Sequence, residues 1–216
     1  MSRMSREQTL RLLDDRDPAV RLTAVRSLAQ QEAQPRASLS RDVNNHIHTV
    51  YSFSPYSPSR AVWEALGAGL ATAGIMDHDT VAGAAEFREA GRLLDLPVTV
   101  GAELRVSFAD TPISDRRINN PDQEGVAYLA FHGIPAPQCE AVAHFFHPVR
   151  ATREKRNRIM AQRLDRLARE AGLSLDYDRD VLPLSEAARG GSVTERHLLY
   201  ELAVRLTRVM PERTSW

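Results

Sequence analysis

Cysteine, lysine, net charge and long apolar runs are all scarce or absent in this 216-residue chain. The single cysteine, Cys139, cannot close an intrachain disulfide, which excludes a disulfide-stapled scaffold. Lysine occurs once, at Lys155, and arginine supplies the rest of the 28 basic residues, a bias expected of a GC-rich, bacterial genome. They balance 28 acidic residues to a formal charge of zero, so no global field draws the chain to nucleic acid or an anionic membrane. No apolar run is long enough to span a bilayer and no signal-peptide pattern is present, so a cytoplasmic location without membrane contact is expected. Aromatic residues make up only 6%, yet 43% of the chain is hydrophobic, enough to bury a sizeable core.

Against that background, histidines and carboxylates recur in a pattern. His46 and His48 flank Ile47; on an extended strand, side chains two apart point the same way, so both imidazoles can grip one ion while Ile47 packs behind. His78, within Asp77-His78-Asp79, and Glu103, within Gly101-Ala102-Glu103, follow from two further strand-like runs. Imidazole nitrogen mixed with carboxylate oxygen suits zinc, manganese or iron(II), and a carboxylate can bridge two such ions.

From about Asp42 onward these motifs, in this order, resemble the PHP (polymerase and histidinol phosphatase) domain, a family of metal-dependent phosphoesterases. His46-Ile47-His48 matches its first motif, Asp77-His78-Asp79 its second, Glu103 its third and His132 a fourth; His197 stands where a further ligand histidine follows a long charged helix. The resemblance implies an α/β fold, a distorted (β/α)7-type barrel. Two departures concern its metals. Phe53 stands where the family places an acidic or histidine ligand, and no aspartate-x-histidine triplet lies between His197 and Trp216, so the barrel is expected to be incomplete at its C-terminal end. The surviving matches imply one metal on His46, His48 and Glu103, a second on Glu103, His132 and His197, and a third left with His78 alone: at most two divalent ions.

The chain divides into a helical appendage over 1–30, a linker over 31–41 and the hydrolase-like domain over 42–216. In the appendage, Leu10, Leu12 and Leu13, the polar turn Asp14-Asp15-Arg16-Asp17-Pro18, then Val20, Ala24, Val25 and Leu28 read as two short helices. Asp17 is expected to cap the second, with Pro18 in its first turn. The segment resembles half of a HEAT repeat, but one such unit cannot form a solenoid, and a helical cap packed on the barrel is the simpler expectation. Beyond it, strands are expected over 43–49, 72–77, 98–108 and 126–131, and helices over 58–67, 81–94, 151–171 and 194–209. His48, His78, Glu103 and His132 all fall at strand ends, where β/α barrels gather their functional groups.

Asp77 is a candidate to orient a ligand histidine or a water from behind, and Asp79 to cap the following helix. Arg105, two residues after Glu103 on the same strand, shares its face and is a candidate phosphate contact, as is Arg196. The arginines after Ala151 interleave with Glu154, Asp165 and Glu170, which favours a salt-bridged face, and His144 and His147 match no ligand motif. Together these residues predict hydrolysis of a phosphate ester by a metal-bound hydroxide, since a divalent ion lowers the pKa of its water from about 15.7 toward roughly 7. Small phosphorylated metabolites or nucleotides are the expected substrates, with the 5′ end of a nucleic acid as an alternative. The competing expectation is a catalytically silent or truncated domain acting as a scaffold or partner-binding module, and open strand edges would then promote oligomers.

Overall fold

The structure, a computed structural model, describes residues 4–31 and 40–209. Most of the expected 31–41 linker lies outside the described residues. Three parallel strands and one antiparallel strand form a single sheet in the order β1-β2-β3-β4. They are β1 (Val43–Ile47), β2 (Thr72–His78), β3 (Val98–Ser107) and β4 (Val126–Phe131). Helix α3 (Pro58–Gly67) joins β1 to β2, and α4 (Ala84–Leu94) joins β2 to β3. This mixed α/β arrangement is a partial barrel wall.

Local chemistry explains the helices. Ser57 is the N-cap of α3, accepting from the Arg60 N–H at 3.0 Å, and Pro58 occupies the first turn, where its missing N–H costs nothing. Helix α4 has no side-chain cap; the turn before it is held by Thr80, whose Oγ1 accepts from the Ala82 N–H at 3.0 Å. Gly101 is required where β4 crosses close, because a Cβ there would collide with the Phe131 carbonyl oxygen.

Of the N-terminal helices α1 (Arg6–Arg11) and α2 (Pro18–Gln30), α2 packs onto α3 and α4, and α1 packs against α2. Asp17 caps α2 by accepting from the Ala19 N–H at 2.9 Å, with Pro18 next, as the sequence predicts. Leu13, Ala24, Val25 and Leu28 join Val62, Trp63 and Phe87 in one continuous core. Within that apolar layer Arg21 donates to both oxygens of Glu86, at 2.8 and 2.5 Å, and to the carbonyls of Asp15 and Arg16. The remaining capacity of Glu86 is filled by the N–H and hydroxyl of Ser59. Every polar atom that this pair brings into the core thus finds a partner, the condition under which a buried charge is tolerated.

Helix α5 (Cys139–Arg169) is much longer than the expected 151–171 span and runs straight through Pro148. The proline removes one helical N–H, yet the turn after it stays helical, with the Thr152 hydroxyl donating to the Pro148 carbonyl at 3.0 Å. A second, smaller core around Leu175, Tyr177, Val181 and Leu198 ties α5 to α6 (Glu195–Val209). Among the described residues no helix is long and apolar enough to cross a membrane.

Removing the cation of the buried pair tests how much the N-terminal helices depend on it. Arg21→Ala, which strands the Glu86 carboxylate, is expected to lower unfolding stability by about 3–5 kcal/mol in urea titrations. Removal of Arg11, whose pair with Glu7 is largely exposed, should leave the curve within error. Equal losses from the two variants would show that the buried pair does not carry the docking.

Candidate metal centre

The site forms where β1 and β2 end beside the middle of β3. Between Asn44 and Ile47 the pairing of β1 with β2 slips by one residue, a bulge directly beneath the histidine pair. Such a bulge re-aims side chains at a strand end, and here the rings of His46 and His48 meet edge to face with centroids 5.1 Å apart. His78, the last residue of β2, lies opposite Glu103 in the parallel register, and its ring stacks on His48 at 4.6 Å.

Glu103 is the point on which these rings converge. Its Oε2 lies 3.3 Å from His46 Nε2, 3.6 Å from His48 Nε2 and 3.4 Å from His78 Nδ1. Donor atoms of His46, His48 and Glu103 all lie within 4.8 Å of one another, the one such group of three or more found among the described residues. They line a cavity of ≈ 390 Å³ together with Tyr128, Arg153, Glu195 and Arg196.

Behind the rings a buried carboxylate sets the histidine geometry. Asp77 is almost wholly enclosed and accepts three hydrogen bonds at 2.6 Å, from the Thr49 N–H, the Thr49 hydroxyl and the Ser52 hydroxyl. Burial pushes its carboxyl pKa up, opposed by those hydrogen bonds from Ser52 and Thr49. The Ser52 proton is committed to Asp77, so the contact between Ser52 Oγ and His48 Nδ1 at 3.4 Å is one in which the imidazole N–H donates. That places the His48 proton on Nδ1 and leaves the Nε2 lone pair facing Glu103. Asp77 thus lies behind the histidine rings, linked to His48 through Ser52.

These protonation states make the cluster a fit for a cation. Burial first, then His46 and Arg196, push His48 down to about 4; burial, then His48 and Arg153, push His78 down to about 3. At neutral pH the His48 lone pair thus opposes a carboxylate oxygen, and His78 Nδ1 is buried with no hydrogen-bond partner. An ion among these atoms would satisfy all of them at once, and the donor set of two or three imidazoles and a carboxylate is one that zinc, manganese or iron(II) accepts.

Two expected ligands are placed elsewhere. His132 is exposed and stands apart from the cluster. The reason is strand direction: β4 is antiparallel to β3, with Phe131 opposite Ala102, so its C-terminal end runs back toward the start of β3. The strand instead offers Tyr128, whose ring lies 6.3 Å from that of His78. His197 is buried, and its Nδ1 accepts from the Thr194 N–H at 3.0 Å, so in the neutral ring the proton sits on Nε2. Burial keeps that ring neutral, pushing it down to about 4. The Phe53 ring covers it edge to face at 4.8 Å. The structure thus gathers the first expected ligand set and adds His78 to it, without assembling the second.

The arginines also sort differently from expectation. Arg196 lines the cavity, but Arg105 donates to Gln123 and faces a neighbouring hollow shared with Arg153 and Arg156. Asp79 caps no helix; it adopts a positive φ of 52° and forms a buried ion pair with Arg153, which sequence reasoning missed because the partners are 74 residues apart. Arg156 and Arg158 pair with Glu195, Glu154 and Asp178, the salt-bridged face that the charge pattern suggested. His144 and His147 lie outside the cluster.

No protein-family model matches the chain, and no curated protein matches it. Among solved structures, a protein from Bifidobacterium adolescentis described as a metal-dependent phosphoesterase is similar with a TM-score of 0.59, at 24% identity, over 80% of this chain and 52% of its own. An amidohydrolase from Chromobacterium violaceum, solved with sulfate and without metal, is similar with a TM-score of 0.56, at 20% identity, over 79% of this chain and 54% of its own. The chain thus spans about half the length of each structure that it matches here, and what it shares with them is the fold.

The depressed histidines give a pH dependence whose sign is fixed. In the unfolded chain His48, His78 and His197 titrate near 6.5, whereas in the fold they stay neutral to about 4, 3 and 4. Between those limits the unfolded state binds more protons, so stability is full above pH 6.5 and is lost as pH falls toward 4, by up to about 1.4 kcal/mol per pH unit for each histidine. Chelator-treated protein should show this slope in denaturant titrations from pH 7 to 4, and a flat profile would refute the neutral, buried state of these rings.

Proposed function

We propose that the chain is a metal-dependent phosphoester hydrolase of the PHP type, with one ion held by His46, His48 and Glu103 and by His78 Nδ1. The observation that supports this most directly is the convergence of three imidazole nitrogens on one carboxylate oxygen, within 3.3–3.6 Å. A divalent ion bound there would supply Lewis acidity and a source of hydroxide at neutral pH. The likeness in fold to a protein described as a metal-dependent phosphoesterase is in keeping with it.

The residues of the chain then divide the remaining work. Asp77, through Ser52, holds His48 in the tautomer whose Nε2 faces the ligand position. Tyr128 walls the cavity from β4. Arg196, which lines the cavity and is exposed, would neutralise phosphoryl oxygens as charge develops, the role expected of it; the same role expected of Arg105 then rests on Arg196 too, since Arg153 is tied to Asp79. Arg196 in the lining favours a phosphoryl group over an uncharged amide. A cavity of ≈ 390 Å³ suits a small phosphorylated metabolite or nucleotide, with a nucleic-acid 5′ end as the larger alternative.

Elemental analysis of the purified chain should find close to one zinc, manganese or iron per chain, absent from Glu103→Ala. Hydrolysis of a generic phosphomonoester should fall with it by more than about 100-fold, beyond what loss of an outer partner costs. Metal retained in the variant, with unchanged turnover, would sink the proposal; bound metal without any hydrolysis would favour the scaffold reading. Asp77→Asn and Ser52→Ala should each weaken metal affinity by about 10–100-fold in competition with a chelating dye, and unchanged affinity would show that the hydrogen-bond chain does not orient His48.

A further inference from the structure

A second cavity, of ≈ 210 Å³, lies under the middle of α5, between that helix and the segment that leads into α6. Arg150 and His147 line it from the helix, Tyr177 from the turn at Tyr177–Val181, and Ser192 from the approach to α6. Half of its lining is small or apolar, and two of its polar side chains lack partners. The Tyr177 hydroxyl and Ser192 Oγ are both buried without a hydrogen-bond partner. Arg150 donates one bond, at 3.1 Å, to the Asp79 carbonyl, and among the described residues no carboxylate comes within ion-pair distance of it. Asp79, whose charge acts on Arg150, is committed to Arg153. Glu154 also borders the cavity, but Arg158 holds its carboxylate at 2.8 Å.

Buried hydroxyls without partners and a half-buried guanidinium without a counter-ion are each costly, and together they describe an incomplete anion shell. Backbone groups do not complete it, since the Gly191 and Ser192 N–H groups already donate to the Glu186 and Tyr51 carbonyls. We propose that this cavity binds a small tetrahedral oxyanion of the phosphate or sulfate class, with Arg150 as the charge partner and the Tyr177 and Ser192 hydroxyls as donors. Burial pushes the Tyr177 phenol up to about 12, so it remains a donor through the physiological range. The Arg158 guanidinium lies over the Tyr177 ring at 4.5 Å. Arg153, which borders both this cavity and the one at the histidine cluster, makes the two neighbours without making them one site. The inference does not rest on metal at the cluster.

Inorganic phosphate is the probe. Calorimetric titration of the 216-residue chain as purified should show saturable phosphate binding that weakens at least 10-fold in Tyr177→Phe and in Arg150→Gln, and is kept in His48→Ala. Tyr177→Phe retains the ring beneath Arg158, so a loss there reflects the hydroxyl and not the fold. Sulfate should compete and acetate should not. Exclusion of glycerol 3-phosphate would assign the cavity to a free ion, and its admission to the phosphate group of an ester. Absence of phosphate binding would overturn the proposal and leave a water-filled cavity. Binding lost in His48→Ala but kept in Arg150→Gln would overturn it equally, by moving the anion to the histidine cluster.

Discussion

Glu103 Oε2 is the atom about which this molecule is organised. Three imidazoles approach it within 3.6 Å, and one of them presents a lone pair. In water such groups would simply turn away. Here they cannot, because each is held from behind: His48 by the chain from Asp77 through Ser52, His78 by its register opposite Glu103, and His46 by the bulge in β1. Preorganising like against like is the physical signature of a site built for a cation, since the repulsion becomes attraction when a positive charge enters.

That arrangement needs parallel strands. Only when β1, β2 and β3 run the same way do their carboxyl ends, and the residues just after them, meet at one rim. The reversal at β4 closes the rim on one side with Tyr128 and carries His132 away. On the other side α5 and the start of α6 close it, by the buried Arg153–Asp79 pair and the approach of Glu195 and Arg196. Arg153 therefore serves the fold and the site alike: it neutralises Asp79, one residue beyond His78, and contributes to holding His78 in its neutral form.

The sequence made the parallel part of this legible and little else. The two-residue spacing of His46 and His48 carries its own geometry, whereas Glu103 lies mid-strand in β3 and His78 joins these three where a separate ion was expected for it. Asp77 was readable as a supporting carboxylate because it directly precedes His78 in the motif, and it lies in a strand buried on both faces. Nothing local encodes the direction of β4, which depends on its pairing with β3, so His132 was misplaced. Nor does local pattern reveal the partner of Asp79 across 74 residues, or the survival of a helix through Pro148, which the packing of α5 overrides.

His48 and His197 show how far residue type alone can mislead. Both rings are neutral, with pKa values pushed down to about 4 by burial, and both were candidate ligands. They differ in which nitrogen keeps the proton. His48 uses Nδ1 to donate to a serine hydroxyl and frees Nε2; His197 uses Nδ1 to accept a backbone N–H and must protonate Nε2. Phe53, at a positive φ of 89°, then seals the His197 ring, and Tyr200 backs the phenylalanine with ring centroids 6.0 Å apart. A non-glycine residue in that backbone region costs roughly 1–3 kcal/mol, and it persists because the aromatic contacts hold it. For His197 to become a ligand, the backbone bond at its cap would have to break and the phenylalanine withdraw together. As built, the aromatic cover makes His197 part of the wall, and the converging nitrogens are those of the three rings around Glu103.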